Sequence, residues 1–353
     1  MNKKLIVTAM GLVLAGVIGV SNADVKLYGQ LDLSLNRDDA AAGADGDDDI
    51  NMKSNSSAIG VKGSEDLGNG LSAFFKVEYQ TDVANDDNGD SWTGRDQYIG
   101  LNQERFGKLT LGTMSTAYKS PGSKIDVAYR TSLESRQLGL QSRLHSGKGE
   151  NGQGRTINTA RYDSPSWAGF SLMGTYNFDD AKDVGNDDDT YSIGAQYKGG
   201  NFYAAASYID TQASDPSDTA AAQFLAKYTW NNLEFHGIYE LDSGLLTAVR
   251  SSGLDNAATL GGAEDDGADL WSVGTSYTIG NNIIFADYGE SSSSDGSDGI
   301  NNTADDLGDQ DAARLGAIHN LSQRTFVYGG FGWVSPDETD NTTRYTLGVR
   351  HSF

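Results

Sequence analysis

No cysteine occurs in this 353-residue chain, so no disulfide scaffold holds it together. A chain without thiols can pass through an oxidising compartment unharmed, although many cytosolic proteins lack them too. Proline is nearly absent, with four residues against 44 glycines, which suits sheets joined by tight turns. Basic residues are scarce: 26 Lys and Arg stand against 49 Asp and Glu, for a net charge of −23. That balance excludes nucleic acid as a partner. The four histidines, His145, His236, His319 and His351, are scattered without the spacing of a zinc motif. No Gly-x-Ser-x-Gly elbow is present, so nothing in the chain points to an enzyme. Asp45, Asp47 and Asp49 are followed by Ile50 where a calcium-binding EF-hand needs glycine. Weak divalent-cation binding by the Asp-rich loops and a merely solvated acidic surface therefore stay open as alternatives, and no cofactor is expected.

Long apolar runs are also missing, with one exception. Leu5 to Val20 is apolar, follows Lys3 and Lys4, and precedes the small residues Ser21-Asn22-Ala23. This pattern predicts a secretory signal peptide over 1–23, cut before Asp24, because the run is short for a membrane-spanning helix. Residues 24–353 would then keep 24 basic residues against 49 acidic, a net charge of −25.

What the mature segment does have is two-residue alternation. In the last strand Tyr345, Leu347, Val349, His351 and Phe353 share one face, while Arg344, Thr346, Gly348, Arg350 and Ser352 share the other. The same rhythm places Leu27, Leu31 and Leu35 opposite Lys26, Asp32 and Ser34, and Phe75 and Val77 opposite Lys76 and Glu78. Sixteen such segments are predicted, starting near Val25, Met52, Leu71, Trp92, Lys108, Thr156, Phe170, Tyr191, Phe202, Gln223, Leu233, Leu270, Ile283, Ala312, Thr325 and Arg344. A soluble β-sandwich alternates in the same way. The connections separate the two folds, because short turns such as Asn231-Asn232 alternate with long stretches such as Asp242 to Asp269. An even number of strands with short turns at one end and long loops at the other describes a transmembrane barrel. Aromatic residues near strand ends, among them Trp92, Trp167, Trp230 and Trp333, fit girdles at the two membrane interfaces.

The stretch Ser115 to Arg155 breaks both patterns. It does not alternate, and it is too long for a simple connection. It carries seven basic residues against three acidic, +4 within an acidic chain. Leu133, Leu138, Leu140 and Leu144 within it need a surface to pack on. A segment with both features can fold into a barrel and narrow it.

Several segments together carry a specific resemblance. They are Val25-Lys26-Leu27-Tyr28-Gly29, the run from Gly60-Val61-Lys62-Gly63 to Gly68-Asn69-Gly70, Tyr98-Ile99-Gly100-Leu101, Phe106-Gly107-Lys108-Leu109-Thr110-Leu111-Gly112, Arg161-Tyr162-Asp163-Ser164-Pro165, and the terminal Phe353. In this order the chain resembles the Gram-negative general diffusion porins of the trimeric type. The resemblance implies an all-β fold, a 16-stranded antiparallel transmembrane barrel with the long third loop, 115–155, folded into the lumen. It implies an outer-membrane homotrimer that passes small hydrophilic solutes passively, set among outer-membrane lipids and lipopolysaccharide. It also implies that Phe353 is the assembly signal read by the barrel-assembly machinery.

Porins of this type oppose acidic loop residues to a basic wall, which sets ion preference. Arg161 matches the family arginine before Tyr-Asp-Ser-Pro, and Lys62 matches a wall lysine, pointed inward with Ala58 and Gly60 by alternation. Lys76 and Glu78 are further wall candidates, and Asp126, Arg130, Glu134, Arg136 and Arg143 are the loop candidates. Thr113 and Ala58 or Ser57 stand where the family often has arginine. The expected wall is thus less basic, and the loop more basic, than usual, and the expected constriction is mildly anion-favouring behind an acidic mouth. The competing expectation is that the loop arginines pair locally. Two other roles fit the residues: a solute-specific, anion-preferring channel, or a surface-interaction barrel with acidic ion-binding loops. Leu31, Leu33 and Leu347 are the expected trimer contacts.

Overall fold

The computed structural model describes residues 24–39, 50–84, 92–147, 154–178, 189–210, 220–241, 268–293, 310–336 and 341–353. The expected signal peptide and the Asp-rich runs at 45–49 and 86–90 lie outside these described residues.

Seventeen segments pair into one sheet. They are β1 (Asp24–Asp39), β2 (Ile50–Ser54), β3 (Ala58–Gly68), β4 (Leu71–Thr81), β5 (Trp92–Gln103), β6 (Gly107–Ser115), β7 (Arg155–Asp163), β8 (Phe170–Asn177) and β9 (Tyr191–Gly199). The remainder are β10 (Phe202–Asp210), β11 (Ala220–Trp230), β12 (Leu233–Leu241), β13 (Ala268–Ile279), β14 (Asn282–Ser293), β15 (Gln310–Asn320), β16 (Thr325–Pro336) and β17 (Thr342–Ser352). They make sixteen wall strands, because β2 and β3 are two parts of one strand. Both lie against β1, β2 on Leu33–Arg37 and β3 on Asp24–Gln30. The interruption between them is held by its own side chains, with Asn55 Nδ2 donating to Asp32 Oδ1 at 2.8 Å and to Ser34 Oγ at 2.9 Å.

The barrel closes where the two ends of the described chain meet. β17 runs antiparallel to β1 from Gln30↔Ser352 to Asp39↔Thr343. Phe353 N–H donates to the Gly29 carbonyl at 3.0 Å, and Gly29 N–H donates to the Phe353 carbonyl at 3.1 Å. The Phe353 ring lies over Gly29, where a Cβ would come within 2.4 Å of it. Closure leaves no free sheet edge among the described residues, which a barrel in lipid requires.

Alternation becomes inside and outside. On β17 Leu347 is 65 % exposed while its neighbours Thr346 and Arg344 are buried. On β1 Leu27, Leu31 and Leu35 are exposed, while Asp32, Ser34 and Asn36 are buried. Apolar side chains point to the lipid side and polar ones to the lumen, the reverse of a soluble sandwich.

The segment between β6 and β7 packs against the lumenal face of the wall. It contains one turn of helix, α1 (Lys119–Gly122), and two 3₁₀ turns at Ser135–Gln137 and Arg143–His145. Leu133, Leu138, Leu140 and Leu144 are all buried, each worth roughly 1.5–3 kcal/mol against exposure to water. Three of them sit over wall glycines. A Cβ at Gly330 would come within 2.8 Å of Leu133, at Gly332 within 2.7 Å of Leu138, and at Gly289 within 3.1 Å of Leu140. The glycines on β14 and β16 are thus hollows that admit the loop's leucines.

Candidate functional site

The loop is fastened along one part of the inner wall and touches the other at fewer points. Its attachments run along β8 to β17. Ala117 N–H donates to Ser192 Oγ on β9 at 3.0 Å, and Tyr118 Oη donates to Glu240 Oε2 on β12 at 2.8 Å. Ser132 and Thr346 on β17 share a hydrogen bond of 2.6 Å. Three arginines complete the seam. Arg314 on β15 binds Asp126 at 2.8 Å, Asp287 at 2.8 Å and the Leu133 carbonyl at 2.5 Å. Arg344 on β17 binds Asp38 at 2.6 Å and approaches the Ser132 carbonyl at 3.4 Å. Arg350 binds Asp32 at 2.7 Å and donates to the carbonyls of Tyr129 and Arg130.

The less covered wall, β3 to β7, carries a chain of alternating charges, of which Glu78, Arg95 and Arg155 are buried. Glu78 on β4 receives Arg95 at 2.6 Å, Arg130 of the loop at 3.1 Å and Lys76 at 3.2 Å. Lys76 continues to Asp96 at 2.8 Å, and Asp96 receives Arg155 at 2.7 Å. Arg161 pairs with Asp163 at 2.7 Å and reaches the loop through the Ser115 carbonyl at 2.9 Å and Ser120 Oγ at 2.7 Å. Five cations share three carboxylates here. Further lysines are added on ring faces: Lys62 is 4.8 Å from the Tyr28 centroid, Lys108 is 4.7 Å from that of Phe74, and Lys124 of the loop is 5.2 Å from that of Tyr203.

The expected site residues divide between these two settings. Lys62, Lys76, Arg130 and Arg161 come together on the less covered side, around a buried Glu78. Asp126 and Glu134 do not line it: both are buried, Asp126 beneath Arg314 and Glu134 under Arg136 at 2.9 Å. Arg136 also donates to the His145 carbonyl at 2.8 Å, so it pairs locally. The side chain of Arg143 is outside the described residues. Burial alone would raise Glu134, but Arg136 and the Arg130 N–H outweigh it and hold the carboxyl below its ordinary range. Lys119 in α1 is buried among Arg136, Arg155 and Arg95, and burial pushes its ammonium well below the usual lysine range.

The wall proves more basic than its sequence suggests. Arg95 and Asp96 fall at an irregularity in the pairing, between Val77↔Gln97 and Tyr79↔Gly94. There two consecutive residues bind the lumenal carboxylate and lysine of β4, Arg95 to Glu78 and Asp96 to Lys76. Strict alternation assigns them to opposite faces, which is why they escape a sequence reading. Arg155 belongs to the wall as the first residue of β7, rather than to the loop.

Comparison with known proteins agrees with this geometry. The family model described as Gram-negative porin matches residues 8–340. The chain belongs to the Gram-negative porin family. This porin is 28% identical over 357 residues to the major outer membrane protein P.IB of Neisseria meningitidis, covering 98% of both chains. Among solved structures it is similar to the anion-selective porin from Comamonas acidovorans, with a TM-score of 0.73 and 19% identity, covering 94% of this chain and 100% of that one. It is also similar to OmpT of Vibrio cholerae in its trimer form, with a TM-score of 0.64 and 16% identity over 94% and 99% of the two chains. The porin is a multi-pass β-barrel of the outer membrane, a channel for passive diffusion of small hydrophilic solutes.

Proposed function

We propose that this porin is an anion-favouring diffusion channel that works as a homotrimer. One observation carries the charge preference: the two carboxylates described on the loop, Asp126 and Glu134, are buried in ion pairs, while Arg130 and Lys124 reach the lumen. The opposed acidic loop and basic wall of the family pattern is therefore replaced by cations on both sides of the opening. Three wall carboxylates are shared among five cations, so the local field favours anions even within an acidic chain. The anion selectivity of the Comamonas porin fits the same reading.

The outer surface supports the trimer. Around the closure, β1, β2, β4, β5 and β17 expose aliphatic side chains: Leu31, Leu35, Met52, Val77, Ile99 and Leu347. Leu33 points the same way, half-buried. On β8 to β12 the exposed large residues are mostly aromatic, including Phe170, Phe224, Tyr228 and Phe235. Aromatic rings suit lipid headgroups, whereas an aliphatic face suits another copy of the barrel. The trimer form of OmpT is consistent with that use. The reading is diffusion without bond making or breaking, with Phe353 as the handle for the assembly machinery.

Purified protein in a planar bilayer with a potassium chloride gradient tests the reading. Conductance in three steps and a reversal potential of anion-selective sign are expected. A cation-selective sign overturns the charge assignment, and single-step conductance overturns the trimer.

A further inference from the structure

A second feature of the lumen bears on which anions pass. Opposite the basic wall, the inner face of β14 to β16 turns apolar at its short-turn end, below the Asp287–Arg314 pair. Ile283 pairs with Ile318, Ile318 with Tyr328, and Phe326 is two residues before Tyr328 on the same face. Phe285 shares that face and is buried. The loop covers only part of this surface. Ala128 and Leu133 pack with Phe285, Ile318 and Tyr328, while Val127, Ile283 and Phe326 remain partly exposed, Phe326 with Arg350 5.1 Å from its ring centroid. Ile283 follows the first residue of β14 and Phe326 the first of β16, so the trio sits towards the end of the barrel with the short turns.

Sheet order fixes what faces it. In a ring of sixteen wall strands, β6 and β14 are half the ring apart. Lys108 on β6 therefore stands across the lumen from Ile283 on β14. Beside Lys108 lies a row of like charges: Lys26 is directly opposite Lys62, and Lys62 directly opposite Lys76. Like charges in that relation repel unless an anion intervenes. Lys26 has Asp24 at 2.8 Å and Lys76 has Asp96 at 2.8 Å. Among the described residues Lys62 has only the Tyr28 ring. The vestibule below the loop thus has a cationic side and an apolar side.

We propose that this vestibule favours organic anions bearing an apolar group, such as branched-alkyl or aryl carboxylates, over hydrophilic anions of equal size. The carboxylate lies towards Lys62 and Lys108, and the apolar group covers Val127, Ile283 and Phe326. The proposal rests on the anion-favouring reading and adds the class of anion.

The probes are isovalerate and glycerate, carboxylates with the same number of heavy atoms and opposite polarity. Their permeabilities are read from reversal potentials against chloride in the intact porin and in Ile283→Ser and Val127→Ser. Isovalerate is expected to permeate at least about three-fold better than glycerate, and each variant to bring the ratio towards one. A ratio near one in the intact porin, or a raised ratio that both variants keep, overturns the proposal and leaves the apolar face as packing for the loop. The potassium chloride reversal potential is recorded on the same channels. If it is cation-selective, the anion-favouring reading has failed; if it is anion-selective while the ratio is flat, only the present proposal has failed. Should a variant not fold, the effect of added isovalerate on chloride current through the intact porin decides. A saturable reduction that glycerate does not produce supports the site, and identical effects of the two anions overturn it.

Discussion

Arg314, Arg344 and Arg350 on one side of the barrel and Arg95, Arg155 and Arg161 on the other are the same residue in two settings. The first three lie beneath the loop, bonded to its carbonyls or carboxylates and to wall aspartates. The second three each hold one wall carboxylate, with Arg95 and Arg155 buried and Arg161 half-buried, but Lys76 and Arg130 draw on two of the same three carboxylates. A guanidinium matched by fixed oxygen partners fastens one segment to another. One that is incompletely matched next to water contributes to the field that ions cross. The partners within reach, and not the residue type, decide which role each arginine takes.

The largest expected effect comes from unfastening the first set. Arg314→Met leaves Asp126 and Asp287 buried without their cation and should cost about 3–5 kcal/mol. The check is the denaturant midpoint of the folded barrel, with noisier single-channel current as the sign of a detached loop. Charge-neutral crowding of the same seam comes next. Gly332→Leu fills the hollow that receives Leu138 and should destabilise by about 1–3 kcal/mol. It should also shift the loop towards the lumen, lowering unitary conductance. An unchanged conductance would mean that the loop's position does not depend on that hollow.

Substitutions on the open side should reverse this balance, moving selectivity more than stability. Lys62→Glu should shift the potassium chloride reversal potential towards cations, with the unfolding midpoint close to that of the parent. If instead stability fell sharply and selectivity held, the division between the two sides would be wrong. The smallest effect concerns pH. Glu134 is held below its ordinary range in the folded protein. Its contribution to stability is therefore present above the unfolded carboxylate value and lost as pH falls through the lower folded value. Acid titration of loop noise should show onset below the ordinary glutamate range, and Glu134→Gln should remove that part of the pH dependence.

Much of the barrel was legible in the chain, because strand geometry forces side chains to alternate and lipid demands that one face be apolar. Leu347 and Arg344 could be assigned to outside and inside from spacing alone, and the structure agrees. The strand near Met52 could be placed, but its interruption at Asn55–Ser57 could not. It depends on Asp32 and Ser34 of the neighbouring strand. The site was half legible. Lys62, Lys76, Glu78 and Arg161 follow from alternation and resemblance. Arg95 does not, because an irregularity in pairing resets the parity that the reading relies on.

By itself the sequence determined the closed sheet, its two faces, its membrane and a long loop of unusual charge. These follow from local periodicity, composition and the lengths of connections. Only the tertiary structure decided which charges of that loop meet water. Asp126 is removed from the lumen by Arg314, 188 residues further along the chain. Glu134 is enclosed by its own loop once the leucines seat on wall glycines. Burial and partners are properties of packing, so the +4 of residues 115–155 could be counted in advance, but the face they present to passing ions could not.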